Sequence, residues 1–70
     1  MTQWIPVEST NLSKIRYDED SRTLEIEFHG GRQYQYFEVP KQVFEGLRTA
    51  NSHGKYFHKH IKGSYRYTRL

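Results

Sequence analysis

The stretch Thr23-Leu24-Glu25-Ile26-Glu27-Phe28-His29-Gly30-Gly31-Arg32-Gln33-Tyr34-Gln35-Tyr36 decides the fold. Leu24, Ile26 and Phe28 alternate with Thr23, Glu25, Glu27 and His29, the period of a strand with one buried face. Gly30-Gly31 tolerates positive φ and closes a tight hairpin. A third strand then runs from Arg32 to Val39, with Tyr34 and Tyr36 on one face and Gln33, Gln35 and Phe37 on the other. Two registers are open. A two-residue loop sets Ile26 opposite Gln35 and buries an amide. A three-residue loop with a bulge sets Tyr34 opposite Phe28 and Tyr36 opposite Ile26, and it is preferred because it stacks aromatic on apolar.

On the N-terminal side, Ile15 and Tyr17 alternate with Lys14, Arg16 and Asp18, which predicts another half-buried strand. Asp18-Glu19-Asp20-Ser21 is its turn, since short polar side chains satisfy their own backbone there. Residues 1–10 show no period, and Pro6 argues against a long strand. They read as a loosely ordered lead-in from which Trp4 and Val7 can pack onto the body.

On the C-terminal side, Pro40 suits the first position of a helix, and Val43, Phe44, Leu47 and Ala50 recur at the helical period. Asn51 or Ser52 ends it, with Ser52 reading as a cap. A second helix is expected from Ser52 to Lys62, burying Phe57 and Ile61, with Gly63 as its stop. The tail Tyr65–Leu70 can add a short extended piece. The expected architecture is α+β: a three-stranded antiparallel meander followed by two helices packed on one face, β-β-β-α-α, as a single domain over residues 1–70.

A chain of 70 residues buries about 60% of its unfolded surface, so its core must use large side chains. Six Tyr, four Phe and one Trp supply them, and with no Cys neither disulfides nor thiolate metal sites contribute. No run approaches the ~20 apolar residues of a membrane span, and the start of the chain lacks the pattern of a secretory signal. The expectation is a cytoplasmic monomer.

Charge is distributed unevenly. Residues 1–40 carry four basic and seven acidic side chains, net −3, whereas residues 41–70 carry seven basic ones and Glu45 alone, net +6. That imbalance points to an anionic partner for the C-terminal half. Lys55, Lys59 and Lys62 fall at i, i+4 and i+7 along one edge of the second helix, nearly opposite Phe57 and Ile61, and Arg66 and Arg69 follow. Such an edge neutralises phosphates with salt-sensitive affinity; the same lysines also read as the solvated side of an amphipathic helix.

Catalytic chemistry finds little support. Ser52 beside His53 lacks a third orienting group. His58 and His60 lie about 200° apart on a helix, with no carboxylate to complete a metal set. Glu25 and Glu27 look like the solvated side of a sheet rather than an acid–base pair. No catalytic residue, metal or cofactor is expected. Tyr34 and Tyr36 are assigned to the core, leaving Tyr65 and Tyr67, beside Arg66, as the better stacking candidates.

The series Leu24-x-Ile26-x-Phe28, Gly31, Tyr34-Gln35-Tyr36, Val39-Pro40 and Ala50-x-Ser52-x-Gly54-Lys55-Tyr56-Phe57, then Ile61 and Tyr65, resembles the KTSC domain over about residues 7–70. The resemblance implies a short domain found as a C-terminal extension of some lysyl-tRNA synthetases and as free-standing small bacterial proteins. RNA binding is implied by that attachment. The family commonly has Asn after Tyr-Phe, where this chain has His58. The function expected is therefore a small non-catalytic module binding RNA, tRNA among its conceivable partners, through Lys55, Lys59, Lys62, Arg66 and Arg69. The alternative is a protein-interaction or accessory domain.

Overall fold

The computed structural model describes residues 3–70, so Met1 and Thr2 of the lead-in lie outside the described residues. Five strands form one antiparallel sheet in sequential order: β1 (Ile5–Pro6), β2 (Leu12–Asp18), β3 (Thr23–Phe28), β4 (Gln33–Tyr36) and β5 (Tyr67–Arg69). Helices α1 (Lys41–Thr49) and α2 (His53–Tyr56), with a π turn over Phe57–Ile61, lie between β4 and β5 in sequence. The α+β class holds, but the sheet has five strands instead of three. The additions are short edge strands without a readable period. Ile5 pairs with Ile15 and Pro6 with Lys14; an edge is where a residue without an N–H can sit. The tail supplies the other edge, with Tyr34 opposite Arg69 and Tyr36 opposite Tyr67.

The central hairpin differs from the expected register by two residues. Tyr34 faces Ile26 and Tyr36 faces Leu24, not Phe28 and Ile26. The loop is His29-Gly30-Gly31: Phe28 N–H donates to the Arg32 carbonyl at 2.8 Å, and Gly30 and Gly31 adopt φ of 99° and 91°. Both glycines thus occupy the loop itself, and Arg32 already belongs to the ladder. A two-residue shift preserves the faces, so the tyrosines stay on the apolar side. In β2 a bulge between Leu12 and Lys14 resets the alternation, which lets Leu12 and Ile15, three apart, both reach the core.

Leu12, Ile15, Tyr17, Leu24, Ile26 and Tyr36 cover one face of the sheet, closed by Val39, Phe44, Leu47, Phe57 and Ile61. Tyr17 stacks on Phe44 at 4.9 Å, and its hydroxyl donates to the Val39 carbonyl at 2.5 Å. Val39 N–H donates to Arg22 at 2.9 Å, tying the β2–β3 turn to the start of α1. The residues beside this tie, Arg22 and Glu38, hold φ of 58° and 56°, a conformation that costs non-glycine residues on the order of 1 kcal/mol each.

Pro40 is the N-cap of α1, one position earlier than expected; its carbonyl accepts from Val43 and Phe44 N–H at 3.0 and 3.3 Å. The second helix is not one α-helix from Ser52 to Lys62. Ser52 caps α2 by accepting from Lys55 N–H at 3.3 Å. Beyond Tyr56 the backbone widens, and Lys62 N–H donates to the Phe57 carbonyl, five residues back, at 2.9 Å. Phe57 and Ile61 remain buried. Lys62 leaves in extended conformation, and Gly63 turns the chain at φ 83°. No helix among the described residues is long and apolar enough to cross a membrane.

Candidate nucleic-acid interface

The end of the helical segment divides the basic residues over two neighbouring openings. Lys55 and Lys59 are exposed and flank a broad depression between α2 and the β1–β2 connection, where Glu8, Ser9 and Asn11 face Ser52 and His53. That connection is held firmly. Ser9 Oγ donates to Asn11 Oδ1 at 2.9 Å, Leu12 N–H donates to Ser9 Oγ at 3.2 Å, and His29 N–H donates to the Asn11 carbonyl at 2.9 Å. It packs so closely on α2 that a Cβ at Gly54 would stand 2.7 Å from Asn11 Oδ1.

Lys62 faces the second opening, because the π turn and the extended residue after it carry it off the edge that a continuous α-helix would have formed. His58 and Asn11 border both openings, so the two are contiguous. Arg66 is exposed, with its guanidinium 5.8 Å from the Phe37 ring centre and 3.9 Å from Glu38. Arg69 lies on β5 opposite Tyr34. The five predicted residues therefore do not form a single stripe: the three lysines border the two openings, whereas Arg66 sits beside Phe37 and Glu38, away from both.

The second opening is a cleft of about 280 Å³ whose walls are Phe28, Tyr34, Tyr36, Phe57 and Tyr67. Arg32, His58 and Lys62 also line it, and the described residues lining it include no carboxylate. Three tyrosines form a triangle, with ring centres 6.5 Å apart for Tyr34–Tyr36, 5.5 Å for Tyr36–Tyr67 and 5.8 Å for Tyr34–Tyr67. Phe57 backs them, edge-on to Tyr36 at 5.7 Å and to Phe28 at 5.4 Å. Burial, and then the neighbouring Tyr34 and Tyr67, push the Tyr36 hydroxyl up to about 12. Tyr36 is a core residue, as expected, but Tyr34 is half-buried and Tyr67 is 60% exposed.

This cleft is not legible in the sequence, where Tyr34-x-Tyr36 and Tyr65-x-Tyr67 read as separate motifs; β4–β5 pairing brings Tyr67 onto the first pair. Tyr65, the other stacking candidate, packs against the core.

The opposite face of the sheet is a paired network, not the solvated carboxylate surface expected. Glu25 is buried at 7% exposure and bonded to the Arg16 Nε–H, and it accepts from Gln35 Nε2 at 2.6 Å. Glu27 accepts from Gln33 Nε2 at 2.7 Å and lies 3.8 Å from Lys14 Nζ. The Trp4 ring covers this network, 4.3 Å from the Arg16 guanidinium and 5.2 Å from Lys14. These cations are engaged within the sheet, whereas Lys55, Lys59 and Lys62 are exposed beside the two openings.

Two of the histidines are used in packing. His53 Nδ1 lies 2.8 Å from the Leu47 carbonyl, and the His60 and Tyr56 ring centres are 4.4 Å apart. Among the described residues no three His, Cys, Asp or Glu side chains gather as metal ligands. In Ser52-x-Gly54-Lys55-Tyr56-Phe57, Ser52 caps, Gly54 admits the Asn11 loop, Tyr56 packs beside Gly46 and Phe57 is core. Lys55 is exposed and has no such packing role.

Residues 8–65 match the model of the KTSC domain. Over 63 residues the chain is 44% identical to a lysine–tRNA ligase of Trichormus variabilis, covering 90% of this chain and 11% of the ligase. The chain thus spans about a tenth of that relative's length. An uncharacterized protein of Stutzerimonas stutzeri is 36% identical over 67 residues, covering 94% of each chain. The crystal structure of a KTSC domain protein from Yersinia pestis superposes with a TM-score of 0.94 at 37% identity, covering 100% of this chain and 99% of that one.

Proposed function

The chain belongs to the KTSC domain family, and we propose that it is a non-catalytic RNA-binding module that presents Lys55, Lys59, Lys62, Arg66 and Arg69 to phosphates. The observation that carries this reading is the one-sided charge. Lys14 and Arg16 are taken up by Glu27 and Glu25 on the outer face of the sheet, while Lys55, Lys59 and Lys62 are exposed beside the two openings on the helix-covered side. Cations held this way release counterions when they meet a phosphate backbone, which gives salt-dependent, largely sequence-independent affinity. The 11% of a lysine–tRNA ligase that the chain matches supports RNA as the polyanion, tRNA included.

Fluorescence-anisotropy titrations with labelled tRNA, single-stranded RNA and duplex DNA, at low and physiological salt, test the reading. Binding that weakens steeply with salt, prefers an RNA and falls when Lys55, Lys59 and Lys62 are replaced by Gln is the expected result. No binding at tens of micromolar in low salt overturns it.

A further inference from the structure

We propose that the cleft between β4, β5 and the π turn holds one unpaired nucleobase of a single-stranded RNA, with Lys62 and Arg32 meeting the flanking phosphates. This deepens the RNA-binding reading and rests on it. Basic side chains alone attract single and double strands alike, since both present phosphates. What distinguishes a single strand is the free π-face of its bases, and aromatic platforms beside a cationic groove are how that face is bound.

The cleft has both parts. Tyr67 is exposed at its mouth, with its ring centre within 6 Å of both Tyr34 and Tyr36, so its ring is supported on one side and open on the other. Arg32, Lys62 and His58 share the opening, and the described lining residues bring no carboxylate to repel a phosphate. At about 280 Å³ the space is at the lower limit of small-ligand sites, enough for one planar base and too small for a base pair. A base in a duplex is stacked on both faces and cannot enter without being unpaired.

The two ideas separate experimentally by comparing Tyr67→Ala with a Lys55→Gln/Lys59→Gln double variant. Each is titrated with an unstructured single-stranded RNA octamer and with a blunt RNA duplex. Tyr67 is an exposed side chain on an edge strand, so circular dichroism should show Tyr67→Ala to be folded; Tyr67→Phe, which keeps the ring, serves as a second check. The expected result is about a tenfold loss of octamer affinity for Tyr67→Ala, less than twofold for Tyr67→Phe, and less than twofold for either variant on the duplex. The lysine double variant should weaken both ligands.

If Tyr67→Ala leaves octamer binding unchanged while the lysine variant weakens it, the cleft assignment is overturned and the module reading stands. If the unmodified protein binds neither ligand, both fall. Addition of 5′-AMP should also shift the Tyr34 and Tyr67 ring resonances; shifts confined to other residues count against the cleft.

Discussion

Tyr56 occupies the space that a side chain at position 46 would need: a Cβ on Gly46 would stand 2.1 Å from the Tyr56 hydroxyl oxygen and 2.6 Å from the ring carbon that bears it. Gly46 lies in the middle of α1, where glycine is a poor helix former, so its presence is explained by this contact. Gly46→Ala is expected to lose about 1–3 kcal/mol of stability in urea denaturation despite the better helix propensity of alanine. Combining it with Tyr56→Leu, which removes the intruding hydroxyl, should recover part of that loss, whereas purely additive losses would show that the two residues do not collide.

Arg16 and Glu25 form the most buried charge pair of the sheet's outer face, with side chains 24% and 9% exposed. Arg16→Ala leaves a buried carboxylate holding only the Gln35 amide, and a stability loss of about 1–3 kcal/mol is expected. Glu25→Gln should cost less, because an amide still accepts from Gln35 and Arg16 keeps access to water. Trp4 is the single tryptophan and lies against Arg16, so its emission should change with Arg16→Ala. Equal losses for the two variants would contradict this ordering.

Lys62 follows the π turn and lines a different opening from Lys55 and Lys59, so they are expected to engage different parts of an RNA. Each lysine that meets a phosphate should lower the slope of log affinity against log salt by about 1 when replaced by Gln. Lys62→Gln should in addition reduce the preference for single strands over duplexes, and Lys55→Gln/Lys59→Gln should leave that preference unaltered. Folding stability should stay within about 0.5 kcal/mol in both, since the side chains are exposed. A uniform effect of all three on both RNA forms would mean that they act as one stripe after all.

What the sequence reveals of this molecule follows from the range of the interactions involved. The alternation of Leu24, Ile26 and Phe28, the Gly30-Gly31 loop and the Ser52 cap are local patterns, and each is found where its residues point. Ile5–Pro6 and Tyr67–Arg69 are too short to show a period and exist as strands because a longer neighbour offers its edge. The exact partners of Tyr34 depend on which glycine takes which loop position, a choice that leaves the facing pattern unchanged. The π turn has no compositional mark, and it moves Lys62 away from the edge that helical spacing gives it. The tyrosine cleft is the least legible feature, since its walls come from β3, β4, the π turn and β5, brought together only when the tail closes the sheet.

Tyr36 provides a test of how tightly that closure is made. Burial, reinforced by the neighbouring Tyr34 and Tyr67 hydroxyls, raises its phenol to about 12, against the ordinary value of about 10 in an unfolded chain. Between those limits the folded protein retains a proton that the unfolded chain has lost. Stability should therefore be unaffected by this group below pH ~10 and fall as pH rises from ~10 towards ~12, by on the order of 1 kcal/mol for each pH unit. Urea denaturation across pH 9 to ~11.5 should show the decline in the parent protein and a shallower one in Tyr36→Phe. The ultraviolet phenolate signal should lose its most alkaline component in the same variant. Tyr67→Ala opens the cleft mouth to water and removes one of the two neighbouring phenols, so it should bring that late component to lower pH. If the most alkaline component survives in Tyr36→Phe, the phenol responsible is another one, and the packing of β5 over Tyr36 is looser than the Tyr36–Tyr67 ring distance of 5.5 Å implies.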